Sequence, residues 1–249
     1  MPKMTGARLF ADMMMGYGVS HIFFVPAVMM KALAEMDDMP IKRVMVHGEK
    51  AAAYMADGYA RASGKPGICM TQSVGTSNLA AGVRDGYMSG SPIIAISGGP
   101  LPSNRYRSPY QQIEDFSQFE PVTKFSAHVE TVTRLPDLLR QAFREATSGV
   151  PAPVHLQVQN RGGQIIEQEA DLDLIVEQQY TCAPAWRPEP DMQCVSKALA
   201  VVAKAQRPVI VAGSGVVWSR AQPEVVELAE KLQIPVITSL KAKATIEDS

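Results

Sequence analysis

Arg43-Val44-Met45-Val46-His47-Gly48-Glu49-Lys50-Ala51-Ala52-Ala53-Tyr54-Met55-Ala56-Asp57-Gly58-Tyr59-Ala60-Arg61-Ala62-Ser63-Gly64-Lys65-Pro66-Gly67-Ile68-Cys69-Met70-Thr71 reads as one strand, one helix and a second strand. Arg43 to Val46 is a short β-rich run. Glu49 to Ala62 is alanine-rich and is closed by Ser63-Gly64, and Gly67 to Thr71 is β-rich again. A helix joining two such strands is the crossover that parallel strands require. The same alternation continues on both sides. Upstream lie a helix over Thr5 to Tyr17, a strand over His21 to Val25 ending at Pro26, and a helix near Val28 to Met36. Downstream lie a helix near Thr76 to Tyr87 and the strand Ile93 to Ser97, whose unbroken apolar character suits a sheet centre. The expected fold is therefore α/β, a parallel sheet flanked by helices.

Gly98 to Tyr110 is dense in Gly, Pro, Ser and Asn and reads as a surface loop. A helix near Pro136 to Thr147 and a strand over Val154 to Gln159 then close a first domain, residues 1–165. Residues 166–190 are polar, end in Pro184, Pro188 and Pro190, and read as a linker. Residues 191–249 begin a second α/β domain. It has a helix over Met192 to Ala205, a strand over Pro208 to Ala212, the turn Gly213-Ser214-Gly215, a helix over Pro223 to Leu232 and a strand over Ile234 to Thr238. Two strands and two helices fall short of an ordinary domain of about 100 residues or more. The second domain is thus expected to be partial, its remainder supplied by further chain or by another polypeptide.

The 249 residues are 46% hydrophobic and 20% charged, enough apolar content for a real core. Lys and Arg number 24 against 25 Asp and Glu, a formal charge of −1, so no basic balance points to nucleic acid or an anionic membrane. Cys69, Cys182 and Cys194 have no C-x-x-C spacing and read as packed thiols of a reducing compartment. No signal-peptide pattern follows Lys3, and no apolar run approaches the roughly 20 residues of a membrane span. A cytoplasmic location is the expectation.

Gly213-Ser214-Gly215 follows a strand as a dinucleotide fingerprint would, but Trp218 stands where its third glycine belongs, which favours a plain strand-to-helix turn. His21, His47, His128 and His155 lack metal-ligand spacing, so no metal site is expected in this chain. No G-x-S-x-G elbow occurs. Glu49 sits where a strand ends and a helix begins, the edge at which α/β sheets bind ligands. By position alone it is either a charge complementing the helix dipole or a functional carboxylate.

Taken together, Glu49-Lys50-Ala51-Ala52-Ala53-Tyr54-Met55-Ala56-Asp57-Gly58-Tyr59-Ala60-Arg61, Ser73-Val74-Gly75-Thr76-Ser77-Asn78, Tyr110-Gln111-Gln112, Pro121-Val122-Thr123-Lys124, Arg207-Pro208-Val209 and Ile234-Pro235-Val236-Ile237-Thr238 resemble the thiamine diphosphate enzymes of the acetolactate synthase group. The resemblance runs over essentially the whole chain. It implies a pyrimidine-binding domain in residues 1–165 and the start of a central domain beyond residue 190. It places Glu49 on the family's catalytic glutamate, a carboxylic acid bonded to the cofactor's aminopyrimidine that favours the tautomer able to remove the thiazolium C2 proton. Pro26 matches a proline beside the pyrimidine, Gly75 and Asn78 the neighbouring strand-to-helix loop, and Gln111 a glutamine on the substrate side of the thiazolium, with Tyr110 in an aromatic position.

The implied activity is decarboxylation or carboligation of a 2-oxo acid, with thiamine diphosphate as electron sink. Mg²⁺ and the diphosphate belong, by the same resemblance, to a C-terminal domain with a G-D-G motif that this chain lacks. FAD is left undecided. A second subunit completing each site, and hence a homodimer or homotetramer, is implied. The sequence departs from the family at Ala27-Val28, where Gly-Gly is usual, at Ser73-Val74-Gly75 for Gly-Pro-Gly, and at Lys241-Ala242-Lys243-Ala244. Two other readings stay open: a non-catalytic or split subunit whose partner carries the Mg²⁺ domain, and a Rossmann-type nucleotide binder.

Overall fold

Thr5 ends a short strand and starts the first helix of the computed structural model, which describes residues 3–104, 106–112 and 116–246. β1 (Lys3–Thr5) runs into α1 (Gly6–Gly16), whose first turn is capped by Thr5 Oγ1 accepting the Arg8 N–H at 3.1 Å. There follow β2 (His21–Phe24), α2 (Met30–Ala34), β3 (Lys42–Met45), α3 (Glu49–Ser63), β4 (Gly67–Thr71), α4 (Thr76–Ser89) and β5 (Ile93–Gly98). Then come β6 (Phe125–Val129), α5 (Leu135–Thr147), β7 (Val154–Val158) and β8 (Glu169–Asp171). Strands β2 to β7 form a six-stranded sheet in the order β3-β2-β4-β5-β7-β6, every neighbouring pair parallel. The chain lays β3 on one side of β2 and then crosses back to lay β4 on the other. The winding therefore reverses between β2 and β4, which is where a crevice opens at the strands' carboxyl ends.

The alternation of side chains along each strand divides the core in two. Ile22, Phe24, Ile68, Met70, Ile94 and Ile96 face α1, α2 and α5, meeting Phe10, Met13, Leu33 and Phe143. Phe23, Cys69, Ile93 and Ala95 face α3 and α4, meeting Ala52, Ala53, Ala56, Leu79 and Val83. The alanine face of α3 is thus a packing surface, short enough to bring α4 close. Asp57, buried, accepts both Arg61 Nε at 2.9 Å and Arg61 Nη2 at 2.6 Å, and the same guanidinium donates to Ser89 Oγ on α4 at 2.5 Å. Tyr59 Oη meets Ser20 Oγ at 2.7 Å. The Asp, Tyr and Arg of the conspicuous helical motif therefore lock the helix in place, and only its first residue faces the crevice edge.

Several expectations need correction. β6 lacks a strand signal in the sequence: Ser126 and His128 interrupt its apolar character, as befits an edge strand with one solvated side. β1 and β8 pair antiparallel, Lys3 opposite Asp171, a contact between chain segments too distant for any local signal. α2 is shorter than expected because Ala27 and Met29 have φ of 73° and 45°, outside helical geometry. Ile166 to Ala185, read as linker, lies within the first of two compact units, Met1–Ala185 and Trp186–Ser249. Arg144 clamps Glu177 through Nε at 2.7 Å and a second, shorter bond from Nη2, and the Ala183 N–H donates to Gly64 O at 2.8 Å. Cys69 is buried and its thiol pKa is pushed up by desolvation, as a packed thiol should be, but Cys194 is exposed.

The second unit holds α6 (Met192–Val202), β9 (Ile210–Ala212), α7 (Ser214–Trp218), α8 (Gln222–Leu232) and β10 (Val236–Thr238). β9 and β10 pair in parallel, Val211 opposite Ile237. Asp191 caps α6, its Oδ1 accepting the Gln193 N–H at 2.8 Å, and these backbone donors hold its carboxyl below the usual range. Gly213-Ser214-Gly215, expected as a turn, runs directly into α7.

His155 on β7 is fully buried between Ser97 Oγ, 2.9 Å from Nε2, and Ser126 Oγ, 3.0 Å from Nδ1, with the Phe119 ring stacked at 3.5 Å. Burial, with His128 nearby adding a smaller effect, holds its pKa well below the usual histidine value. The folded state keeps the ring neutral while the unfolded chain takes up a proton below about pH 6.5. Stability contributed by the neutral ring is therefore complete above that pH and is lost as the pH falls, at up to ~1.4 kcal/mol per pH unit. Urea midpoints at pH 7.5 and 5.5 should differ more in the wild type than in His155→Gln; equal differences would refute this.

Candidate functional site

Glu49 is the first residue of α3, and the sequence puts it there simply: β3 ends, Val46 N–H donates to Phe24 O at 2.9 Å, and Gly48 turns the chain in an extended conformation into the helix. The carboxylate is half-buried and leans toward the start of α4. Asn78 Nδ2 donates to Glu49 Oε2 at 3.2 Å. Gly75, buried at the mouth of α4, fills the gap between them. A Cβ there would stand 2.6 Å from Glu49 Cγ and would also overlap Glu49 Oε1 and Thr71 Oγ1. Glu49, Gly75 and Asn78, separated in sequence by a whole crossover, are thus brought into one group.

Two polar atoms beside that group lack a protein partner. Thr71 Oγ1, on a fully buried residue at the end of β4, and Gln72 Oε1 next to it make no hydrogen bond among the described residues. Buried polar atoms are normally satisfied, because desolvation without a partner costs about 1–3 kcal/mol. Beside a carboxylate at a sheet's switch point, such atoms offer hydrogen-bonding capacity that a polar ligand can use. Neither residue was singled out from sequence, since a threonine and a glutamine after a strand carry no distinctive signal.

Pro26 and Gln111 lie on the same edge but not in that group. Pro26 is exposed, just after Val25, whose N–H donates to Met70 O at 3.2 Å. Ala27 then takes φ 73°, a left-handed conformation that a usual glycine adopts freely and an alanine adopts at about 1–2 kcal/mol. Gln111, also at positive φ, has its Oε1 3.3 Å from Arg161 Nη1. Tyr110 is 78% exposed. Among the described residues no hydrogen bond joins Pro26 or Gln111 to Glu49.

The connection between these parts is a segment that sequence reading passed over, Asn160 to Gly163. It leaves β7 and runs across the end of β5, with Asn160 O accepting the Gly99 N–H at 3.0 Å. Arg161 O then accepts the Ser73 N–H at 2.8 Å, and Gly162 O the Met29 N–H at 2.7 Å. Gly98 has to be glycine because a Cβ would run into Arg161 O and lie 2.5 Å from Arg161 C. One strap thereby ties the loops after β2, β4 and β5 together and carries Arg161 beside Gln111. Two adjacent glycines after a strand, Gly162-Gly163, were the available signal.

Among the described residues no group of three or more His, Cys, Asp or Glu could hold a metal ion, and no helix is long and apolar enough to cross a membrane. Residues 4–119 match the family model described as thiamine pyrophosphate enzyme, N-terminal TPP binding domain, and residues 195–249 match thiamine pyrophosphate enzyme, central domain. The chain is 33% identical over 245 residues to a probable acetolactate synthase large subunit of Methanocaldococcus jannaschii, covering 96% of this chain and 41% of that protein. It is 31% identical to acetolactate synthase of Arthrospira platensis, covering 99% of this chain and 43% of that protein, and 27% identical to acetolactate synthase of Bacillus subtilis, covering 98% and 42%. The chain spans about two fifths of the length of these curated relatives. With Glu49 and the Gly75 loop inside the first match, the chain belongs to the acetolactate synthase-like thiamine pyrophosphate enzymes and carries sequence of their N-terminal and central domains.

Proposed function

We propose that this chain forms the pyrimidine-side half of the active site of a thiamine diphosphate-dependent enzyme that decarboxylates a 2-oxo acid and transfers the product, as acetolactate synthases do. The observation that carries this reading is the convergence of Glu49, Asn78 and the unpartnered Thr71 hydroxyl around Gly75, whose missing side chain leaves the carboxylate accessible. These residues fit a flat heterocycle with hydrogen-bonding edges. When bound, the cofactor supplies an acidic C2–H and an electron sink.

Glu49 would hold or give up a proton at Oε1 toward the aminopyrimidine, while Asn78 holds Oε2 and so steadies the carboxylate plane. Gly75 leaves room for that approach, Pro26 at the end of β2 would border the pyrimidine, and Gln111 would act on the substrate side. Domain roles follow the same proposal, with residues 1–165 acting on the pyrimidine and residues from about 190 belonging to the central domain. Mg²⁺ does not fit the donor set of the described residues. It would sit with the diphosphate on a domain outside this chain, and a second subunit would bring that domain to Glu49 in a homodimer or homotetramer.

The test is Glu49→Gln in the full-length enzyme, read as hydrogen exchange at C2 of bound thiamine diphosphate. Exchange at the wild-type rate would refute the assignment. A split or non-catalytic subunit would instead show no exchange until a partner carrying the Mg²⁺ domain is added.

A further inference from the structure

The strap across the strand ends carries a charge that no described residue neutralises. Arg161 is half-buried, its Nη1 donates to Gln111 Oε1 at 3.3 Å, and among the described residues no carboxylate pairs with it. Its position is not adventitious. The backbone on which it stands is fixed by Ser73 N–H to Arg161 O at 2.8 Å, by Asn160 Oδ1 accepting the Arg161 N–H at 2.9 Å, and by the contact of Gly98 beneath it. Asn160 holds φ 77°, a conformation that costs energy in a non-glycine residue and turns the strap back over the sheet edge.

A guanidinium stays charged at any working pH and offers five N–H donors in a planar fork that matches a carboxylate. One donor is engaged by Gln111, and the backbone of the same residue accepts the N–H of Ser73, two residues before Gly75. Lys50, which follows Glu49 on α3, is exposed. Partial burial strengthens a charge pair relative to one in open water.

We propose that Arg161 is the substrate-carboxylate site, its guanidinium taking the carboxylate of the 2-oxo acid while Gln111 orients the fork. A 2-oxo acid has one permanent charge, and that charge is adjacent to the carbonyl carbon that reacts. Holding it fixes where the carbonyl can be. The proposal rests on the reading of the site given above and adds the residue that selects an acid over a neutral carbonyl compound.

The experiment compares Arg161→Gln and Arg161→Lys with wild type, using pyruvate and its neutral methyl ester. In the full-length enzyme with thiamine diphosphate and Mg²⁺, R161Q should raise KM for pyruvate by about 10- to 100-fold, the loss expected for a hydrogen bond to a charged group. It should leave C2 exchange measurable without substrate and change the response to the methyl ester little. In the cofactor-free protein, broadening of the pyruvate ¹³C signal should disappear in R161Q. R161K keeps the charge without the fork and should give a smaller rise in KM.

A wild-type KM in R161Q overturns the proposal. So does a loss of exchange together with the KM effect, since Arg161 would then be building the site, not binding substrate. If R161Q does not fold, R161K decides, and a wild-type KM there is equally fatal. The Glu49 reading fails separately, by unchanged exchange in E49Q while R161Q still raises KM.

Discussion

Glu49→Gln is expected to slow C2 exchange of bound thiamine diphosphate by about 10²- to 10⁴-fold, the range for removing a positioned acid or base. Glutamine has the same shape, so it can keep a bond to Asn78 by presenting its carbonyl oxygen, and α3 starts from Gly48 either way. The fold should not change. What disappears is a proton-exchanging group at one oxygen, 3.2 Å across from the amide that steadies the other. The variant should therefore bind cofactor, melt within about 1 kcal/mol of wild type, and fail in exchange. Asn78→Ala tests the geometry from the other side: it removes only the support and should cost less than E49Q. An Asn78 variant as damaged as E49Q would mean that the amide, not the carboxylate, contacts the cofactor.

Gly75→Ala is expected to lower activity by about 10²-fold while costing little stability, because the atoms it meets can move but should not. The added Cβ would overlap three side-chain atoms, Glu49 Oε1 and Cγ and Thr71 Oγ1, with no backbone atom among the nearest three. The Glu49 side chain is half-buried and can swing toward solvent, so the fold survives. The position it yields is the carboxylate's, and a displacement of about 1 Å is enough for a loss of this size. Gly98→Ala is the contrast, since its Cβ would meet the Arg161 backbone and should destabilise the strap. Thermal melts and exchange rates on the two variants separate the cases. A Gly75 variant with normal exchange would show that Glu49 has room to spare, and a severely destabilised one that the collision reaches the backbone.

The two variants bear on the same point, that this site is built from loops held by a rigid sheet edge. His155, buried between Ser97 and Ser126, and the Asp57–Arg61–Ser89 network lie beneath that edge and fix the strands and helices from which the loops leave. Neither reaches the carboxylate. His155 joins β7 to β5 and β6, and the Asp57–Arg61–Ser89 network joins α3 to α4, the two helices whose first turns carry Glu49 and Asn78.

Much of this was legible in the amino-acid order, for a physical reason. The short apolar runs of β2, β4 and β5, alternating with helical stretches such as the alanine-rich α3, are local signals, and they specify a parallel sheet with helices on both faces before any contact is known. Glu49 was legible because a strand end and a helix start are also local, and the motif following it is specific. The tertiary structure decided the rest. Edge strand β6, the β1–β8 pair and the docking of residues 166–185 depend on partners far away in sequence, which periodicity does not carry. The same holds for the site: that Asn78 meets Glu49, that Thr71 is left without a partner, and that Arg161, after β7, meets Gln111, in the segment after β5, follow only from the sheet order, in which β4 returns past β2 and β7 lies beside β5. Sequence determined which residues stand at strand ends; the reversal of winding determined which ends are neighbours.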